Sequence, residues 1–355
     1  MPSFKKIKKL NKRFIRSEHF VYLIVAALLI VFVWWFVEVD YISHRTEPGS
    51  GSQLGAGRQT YYKDLNLRVA RQAEFTSEPI KQVSDQGVIR GARHIIFKFG
   101  VPHDNLTESG LMTLPSTPPP AGGYPVLILL HGYANPWSYS TEKSYLPDME
   151  FYSRNGIAVL KPDLRGQGLS IPDGQPEGAY YSMAYNTDTL SLVAAAQKTD
   201  YLNGKKISVW GHSMGAYIAL RAAVVSDDIV NAILLAGPVG YIQDMFTAYV
   251  AISDTQNATA ANIRLDQLDK HGTPITNPEY WNDTSPLNFL SGTKAHIQIH
   301  VGTADQIVPP RFSADLNEAL NNANKPHEYY VYTGAGHGLV AQRSLIWQRS
   351  LALLK

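Results

Sequence analysis

Residues 205–224, KKISVWGHSMGAYIALRAAV, join a β-type run to an apolar helical run through five residues of the form G-x-S-x-G. A strand that turns sharply into a helix forces the central serine into a strained conformation, so Gly211 and Gly215 are needed beside it to avoid clashes. The turn lifts the Oγ of Ser213 above the sheet, and the helix N-terminus places a backbone N–H beside a developing oxyanion. Ser213 is therefore predicted to be a nucleophile; the alternative is a glycine-rich turn with an incidental serine.

On both sides of this stretch, short apolar runs of β character alternate with helical runs, which favours βαβ units. The alternation predicts an α/β fold with a mostly parallel, doubly wound sheet over residues 94–355, whose first two strands form an antiparallel start. Residues 241–290 interrupt the alternation and predict a small cap insert. The predicted strands span residues 94–99, 111–114, 126–130, 157–160, 207–210, 232–236, 297–301 and 328–332, and the predicted helices span 188–198, 215–225, 312–322 and 339–354.

A serine nucleophile needs an imidazole to take its proton and a carboxylate to orient that imidazole. His337 lies in GAGHG at 334–338, between the last predicted strand and the last predicted helix, and Asp305 lies in HVGTADQIVP at 300–309, just beyond a strand. Their alternatives are a surface-loop histidine and a turn or capping aspartate. The chain order Ser213, Asp305, His337 is the order expected for a triad whose nucleophile lies on a strand-to-helix turn.

The run VLILL at 126–130 leads directly into His131-Gly132-Tyr133. A tight turn after an early strand supplies the second oxyanion donor in this architecture, and a glycine allows close backbone approach. We therefore predict that the backbone N–H groups of Tyr133 and Met214 form the oxyanion hole. The His131 side chain is expected to brace the loop.

The motifs HGY (131–133), DLRGQGLS (163–170), GHSMG (211–215), GTADQIVP (302–309) and GAGHG (334–338) resemble the α/β-hydrolase superfamily. Within it, the chain is most similar to the esterase and prolyl-oligopeptidase-like (peptidase S9-like) serine hydrolase branch. The resemblance implies the triad roles given above, and structural roles for Asp163 and Arg165. Ala216 stands where oligopeptidases of the branch usually carry another glycine, and GHSMG is more typical of esterases and monoacylglycerol lipases.

Composition excludes several classes of function. Seven of the 32 Lys and Arg residues lie within residues 1–18, so the rest of the chain has more acids than bases and does not indicate a nucleic-acid partner. The absence of cysteine excludes thiol catalysis and thiolate metal sites. Because the histidines also lack a metal-ligand spacing such as H-E-x-x-H, we expect no metal and no cofactor.

Residues 20–37 form an uncharged run of 18 residues. As a helix it would rise about 27 Å, close to the thickness of the bilayer hydrocarbon. The cations before it and Trp34 and Trp35 at its far end predict a single transmembrane signal anchor over residues 19–42 with an extracytoplasmic catalytic domain. Residues 1–18 are then a basic cytoplasmic tail, and 43–93 a tether and poorly defined extension. The alternatives are a cleaved signal peptide and a buried soluble helix.

The function expected from these features is hydrolysis of carboxylic esters, rather than peptide bonds, through an acyl-enzyme. The first alternative is an exported serine peptidase that uses the same triad. The second is a non-catalytic binding module with a hydrolase fold. The expected partners are a small ester or a short peptide as substrate and the membrane through residues 20–37; the sequence does not indicate an oligomeric state.

Overall fold

A nine-stranded sheet runs through the part of the chain that the computed structural model describes, which is residues 66–135, 138–173, 183–245, 265 and 267–355. The predicted tail, anchor and tether up to residue 65 lie outside these residues, as does part of the predicted cap. None of the helices in the described ranges is long and apolar enough to cross a membrane. The strands are β1 Lys81–Ile89, β2 Ala92–Val101, β3 Leu106–Pro115, β4 Tyr124–Leu130, β5 Ala158–Pro162, β6 Leu202–His212, β7 Ile229–Leu235, β8 His296–Gly302 and β9 His327–Tyr332.

The strands lie in the order β1-β2-β3-β5-β4-β6-β7-β8-β9. The pairs β1–β2, β2–β3 and β3–β5 are antiparallel, and every pair from β5–β4 to β8–β9 is parallel. The predicted antiparallel start and mostly parallel sheet are therefore confirmed. In the parallel part, the carboxyl ends of β4, β6, β7, β8 and β9 meet at one edge, where α/β proteins place their sites.

Helices cover both faces of the sheet. One face packs against α3 and α4 and the other against α2 and α7, and a separate apolar core fills each interface. The helices are α1 Leu67–Ala70, α2 Leu146–Arg154, α3 Ala184–Gln197, α4 Met214–Val225, α5 Pro278–Asn282, α6 Arg311–Asn322 and α7 Arg343–Leu354. The arrangement is doubly wound, as the sequence pattern predicted.

All eight predicted strands are present, but β1 was not predicted. It lies before residue 94, so the sheet begins earlier than the expected domain start. Eight of its nine residues are exposed, so it has none of the apolar alternation that marks a half-buried strand. Helix α2 was missed because it buries Asp148, Glu150 and Ser153 and thus has no apolar stripe. The predicted helix 339–354 is a 3-10 turn, Val340–Gln342, followed by α7.

Candidate active site

Ser213 lies at the turn between β6 and α4 with φ 55° and ψ −122°. A Cβ atom on Gly211 would lie 2.1 Å from the carbonyl oxygen of Gly215, and one on Gly215 would lie 2.0 Å from that of Leu130. Any side chain at either position would therefore collide with backbone. The amide of Ser213 donates to the carbonyl oxygen of Leu235 at 2.8 Å, which ties the turn to the next strand. The strained serine conformation is held by its surroundings, as is common at functional sites.

Asp305 follows β8 and His337 follows β9, and the structure brings them into contact. The Nδ1 of His337 lies 2.8 Å from the Oδ2 of Asp305. The amides of Ile307 and Val308 each donate to Oδ1 at 2.9 Å. Burial opposes ionisation of this carboxyl, but the hydrogen bonds from His337 and the two amides outweigh it and lower the pKa of Asp305. A charged Asp305 holds the proton on Nδ1, which leaves Nε2 as the nitrogen that can accept one.

The turn that carries Ser213 also contacts the loop that carries His337. The Nε2 of His212 lies 3.0 Å from the carbonyl oxygen of His337, and the two rings are 4.9 Å apart. Ser213, Asp305 and His337 thus follow β6, β8 and β9 at the same edge of the sheet. The three residues proposed from the sequence occupy one region of the structure.

The predicted oxyanion donors lie on two adjoining segments. Met214 is the first residue of α4, so its amide has no acceptor within the helix. Tyr133 is in the loop after β4, and the Ser213 turn packs against the start of that loop. A Cβ atom on Gly215 would lie 2.0 Å from the carbonyl oxygen of Leu130 and 2.8 Å from that of His131. The donors remain a prediction that this packing makes geometrically reasonable.

His131 directly follows β4 and is fully buried. Its Nδ1 lies 2.8 Å from the carbonyl oxygen of Gly132, and its ring packs against Tyr139 at 4.5 Å between centroids. Burial lowers the pKa of His131 to about 4, so the ring is neutral near neutral pH. These contacts fit the bracing role expected for it.

A buried ionic cluster supports the loop after β5. Arg165 pairs with Asp188, contacts Asp104 at 2.8 Å and lies 4.0 Å from Glu108. Burial raises the pKa of Glu108 well above its usual range, and the nearby Asp188 carboxylate adds to the effect. Asp163, at the start of the same loop, accepts a hydrogen bond from the amide of Leu169 at 3.0 Å. Asp163 thus holds the backbone of this loop, and Arg165 joins buried carboxylates, which fits the structural roles that the resemblance implied.

Two side chains near the site were not identified from the sequence. Tyr145 accepts a hydrogen bond from the amide of Gly132 and contacts the Nδ1 of His212, both at 2.9 Å. His212, within the GHSMG motif, was given no role from the sequence. Its partner lies 67 residues away in the chain, so no local pattern could have indicated the contact.

The chain is similar to a known protein family over much of its length. The model of the prolyl oligopeptidase family matches residues 143–354, more than half of its length. The chain belongs to the prolyl oligopeptidase family. It is accordingly a serine hydrolase with an α/β-hydrolase fold, and the resemblance inferred from its motifs is confirmed.

Prolyl endopeptidase FAP of Bos taurus is 25% identical over 243 residues, which cover 66% of this chain and 29% of the relative. The chain therefore spans less than a third of that curated relative. Dipeptidyl peptidase 4 of Porphyromonas gingivalis superposes with a TM-score of 0.57 at 19% identity, covering 77% of this chain and 35% of that one. Acetyl xylan esterase of Paenibacillus sp. R4 superposes with a TM-score of 0.60 at 18% identity, covering 81% and 92%. Both structures show the fold.

Proposed function

We propose that this serine hydrolase cleaves carboxylic esters through an acyl-enzyme. The observation that carries the proposal is the contact between the strained Ser213 turn and the loop of His337. His212, directly before Ser213, contacts the carbonyl oxygen of His337, and the His337 ring pairs with Asp305. Ser213 attacks the acyl carbon, His337 takes its proton and passes it to the leaving alcohol, and Asp305 stabilises the imidazolium. The amides of Tyr133 and Met214 stabilise the oxyanion. Water then releases the acid by the same steps.

Two observations support an ester rather than a peptide as substrate. The superposed acetyl xylan esterase is matched over 92% of its length. The motif GHSMG at 211–215 is followed by Ala216, a pattern typical of esterases. The second candidate is peptide hydrolysis, which membership of the prolyl oligopeptidase family and the similarity to a prolyl endopeptidase favour.

The test is a panel of p-nitrophenyl esters of increasing acyl length, assayed with aminoacyl and peptidyl p-nitroanilides on the full chain. We expect kcat/KM to be highest for an ester. A higher value for an anilide would make the protein a peptidase.

In Ser213→Ala, the rate should fall by about 10³-fold or more, because the triad acts as a unit. A fluorophosphonate probe should label the wild type but not this variant; no labelling and no turnover by the wild type would indicate a non-catalytic module.

A further inference from the structure

A chain of three hydrogen bonds links the loop after β4 that carries Gly132 and Tyr133, here called the oxyanion loop, to the loop after β9 that carries His337, here called the base loop. The amide nitrogen of Gly132 lies 2.9 Å from the Oη of Tyr145, this Oη lies 2.9 Å from the Nδ1 of His212, and the Nε2 of His212 lies 3.0 Å from the carbonyl oxygen of His337. We call these four residues the relay. It passes beside Ser213, since His212 is the residue directly before it.

The direction of each hydrogen bond follows from its two ends. A carbonyl oxygen can only accept, so the Nε2 of His212 carries the hydrogen that faces His337. A neutral imidazole then has an unprotonated Nδ1, which accepts from the hydroxyl of Tyr145. The Tyr145 oxygen keeps lone pairs for the amide of Gly132. Burial favours this neutral form, because it lowers the pKa of His212 to about 4.

The relay has a rigid support. The ring of Tyr145 packs edge-on against the buried Trp210 at 5.9 Å. Tyr145 directly precedes α2, and Asp148 on that helix accepts from the Nη1 of Arg343 at 2.5 Å and from the Nε1 of Trp347 at 2.7 Å. Both donors belong to α7, the helix that follows the base loop. Tyr145 thus reaches the base loop through His212, and Asp148 ties α2 to the helix that follows that loop.

The relay also explains a glycine in the oxyanion loop. A Cβ atom on Gly132 would lie 3.1 Å from the Oη of Tyr145 and 3.3 Å from the Nδ1 of His212. These distances are shorter than ordinary van der Waals contacts, so a side chain at this position would push against the relay. Gly132 thus permits the loop to approach Tyr145 closely.

We propose that Tyr145 and His212 are positioning residues for acyl transfer, which keep the oxyanion loop and the base loop at a fixed separation on either side of Ser213. The inference rests on the triad in the proposed function but not on the choice between ester and peptide. Reacting groups lose rate steeply when their separation changes, because the barrier depends on the alignment of the attacking and stabilising groups.

The first test compares Tyr145→Phe with Tyr332→Phe. Tyr332 is a matched control, since its hydroxyl also contacts the Nδ1 of a buried histidine, His300, at 2.8 Å, but it is not part of the relay. We expect Tyr145→Phe to lower kcat and the rate of fluorophosphonate labelling by about tenfold to a hundredfold with KM nearly unchanged. Tyr332→Phe should keep both rates, and the melting temperatures of the two variants should fall by similar amounts.

The second test asks whether His212 acts through its two hydrogen bonds. The glutamine of His212→Gln offers one acceptor and one donor, so this variant should retain much of the labelling rate. In His212→Leu, the labelling rate should fall by as much as in Tyr145→Phe. The double variant Tyr145→Phe/His212→Leu should be no slower than the slower single variant, because both remove the same interaction. Independent losses that multiply in the double variant would contradict the relay.

Labelling separates this inference from the proposed substrate class. If the wild type is labelled but hydrolyses no ester, the ester proposal fails and the relay is still judged by the labelling rates of the variants. Equal labelling by wild type and Tyr145→Phe would overturn the relay while leaving ester hydrolysis intact. A wild type that the probe does not label would overturn both.

Discussion

At Gly215, a single methyl group would lie 2.0 Å from the carbonyl oxygen of Leu130 and 2.8 Å from that of His131. Both contacts are with backbone, which cannot rotate away as a side chain does. The nucleophile turn therefore depends on the absence of one carbon atom. The same reasoning applies at Gly211, whose Cβ would meet the opposite side of the turn.

Gly215→Ala should destabilise the protein by about 3 kcal/mol or prevent soluble folding, because an overpacked backbone contact must be relieved by moving β4 or α4. Thermal or denaturant unfolding measures the change. Gly100→Ala is the matched control, since the nearest atom to its added Cβ would be 3.6 Å away. Equal stability of the two variants would show that the turn is looser than the structure indicates.

Asp305→Asn tests the acid of the triad. The amide preserves shape, but its NH₂ group cannot accept the Nδ1 proton of His337, so the ring favours the wrong tautomer; we expect kcat to fall by about 10³- to 10⁴-fold. Unfolding should remain cooperative. Asp227→Asn, which breaks an exposed ion pair with Lys294, should keep the wild-type rate. A near-normal rate in Asp305→Asn would mean that another carboxylate orients His337.

Among the elements, the segment predicted as a cap has described ends that pack against each other and against the rest of the domain, where Met245 shares a buried cluster with Tyr217 and Phe312. Trp281 is fully buried, packs against Ile242 and donates from Nε1 to the carbonyl oxygen of Gly272 at 3.0 Å. Asp283, directly after α5, pairs with Arg68 of α1. Residues 246–264 lie between these attachments in the chain and outside the described residues. Any shortening of the cap should therefore spare residues 242 and 272–290.

Replacing residues 246–264 with a short Gly-Ser linker should change the preference for acyl length more than it changes the melting temperature. The reason is that insertions after a central strand of an α/β sheet enter at the edge where the substrate binds. The control is a shortened 117–121 loop, which precedes β4 and so lies at the opposite edge of the sheet. An unchanged profile across the ester panel would place the insert away from the substrate.

At the scale of the whole molecule, buried ionisable groups make the free energy of unfolding depend on pH. Burial lowers the pKa of His131 and His212 to about 4 and that of His300 to about 3. In the unfolded chain these histidines take up protons below about pH 6.5. Stability from each is therefore present above that pH and is lost as the pH falls towards the folded value. At about pH 5 the loss is roughly 2 kcal/mol for each histidine.

His300→Gln isolates one of these contributions. Below about pH 6.5, its free energy of unfolding should fall less steeply than that of the wild type, by about 1.4 kcal/mol per pH unit, because one proton fewer binds on unfolding. Glu108, whose pKa burial raises, acts in the opposite direction but is common to both proteins. Denaturant unfolding at several pH values measures the slopes. Parallel slopes would mean that His300 is already protonated when folded.

The membrane topology proposed from residues 1–42 can be tested with the same chain, because it contains no cysteine. Val88→Cys places a thiol on the exposed β1, and Lys9→Cys places one in the basic tail. A membrane-impermeant maleimide should label the Val88→Cys protein in intact cells, or in spheroplasts if an outer membrane is present. The Lys9→Cys protein should be labelled only after lysis, and the reverse pattern would contradict the proposal.

Local features of the chain were sufficient to predict much of the fold. The glycines beside Ser213, the apolar runs of the central strands and the turns after β8 and β9 each act on neighbouring residues, so their patterns can be read directly. Strand β1 and helix α2 gave no such pattern: β1 is exposed at nearly every position, and α2 buries polar side chains. Both are stabilised by tertiary contacts that no local pattern in the sequence indicates.

The contacts that shape the site depend on residues far apart in the chain. Tyr145 reaches Gly132 and His212 only because β4 and β6 are neighbours in the sheet and α2, which Tyr145 precedes, packs against β3 and β5. Composition and spacing therefore indicated which side chains we propose for the chemistry. The side chains that contact these residues, and the protonation states of the buried groups, followed from burial and from hydrogen-bond partners. Burial and hydrogen-bond partners exist only once distant segments have packed together.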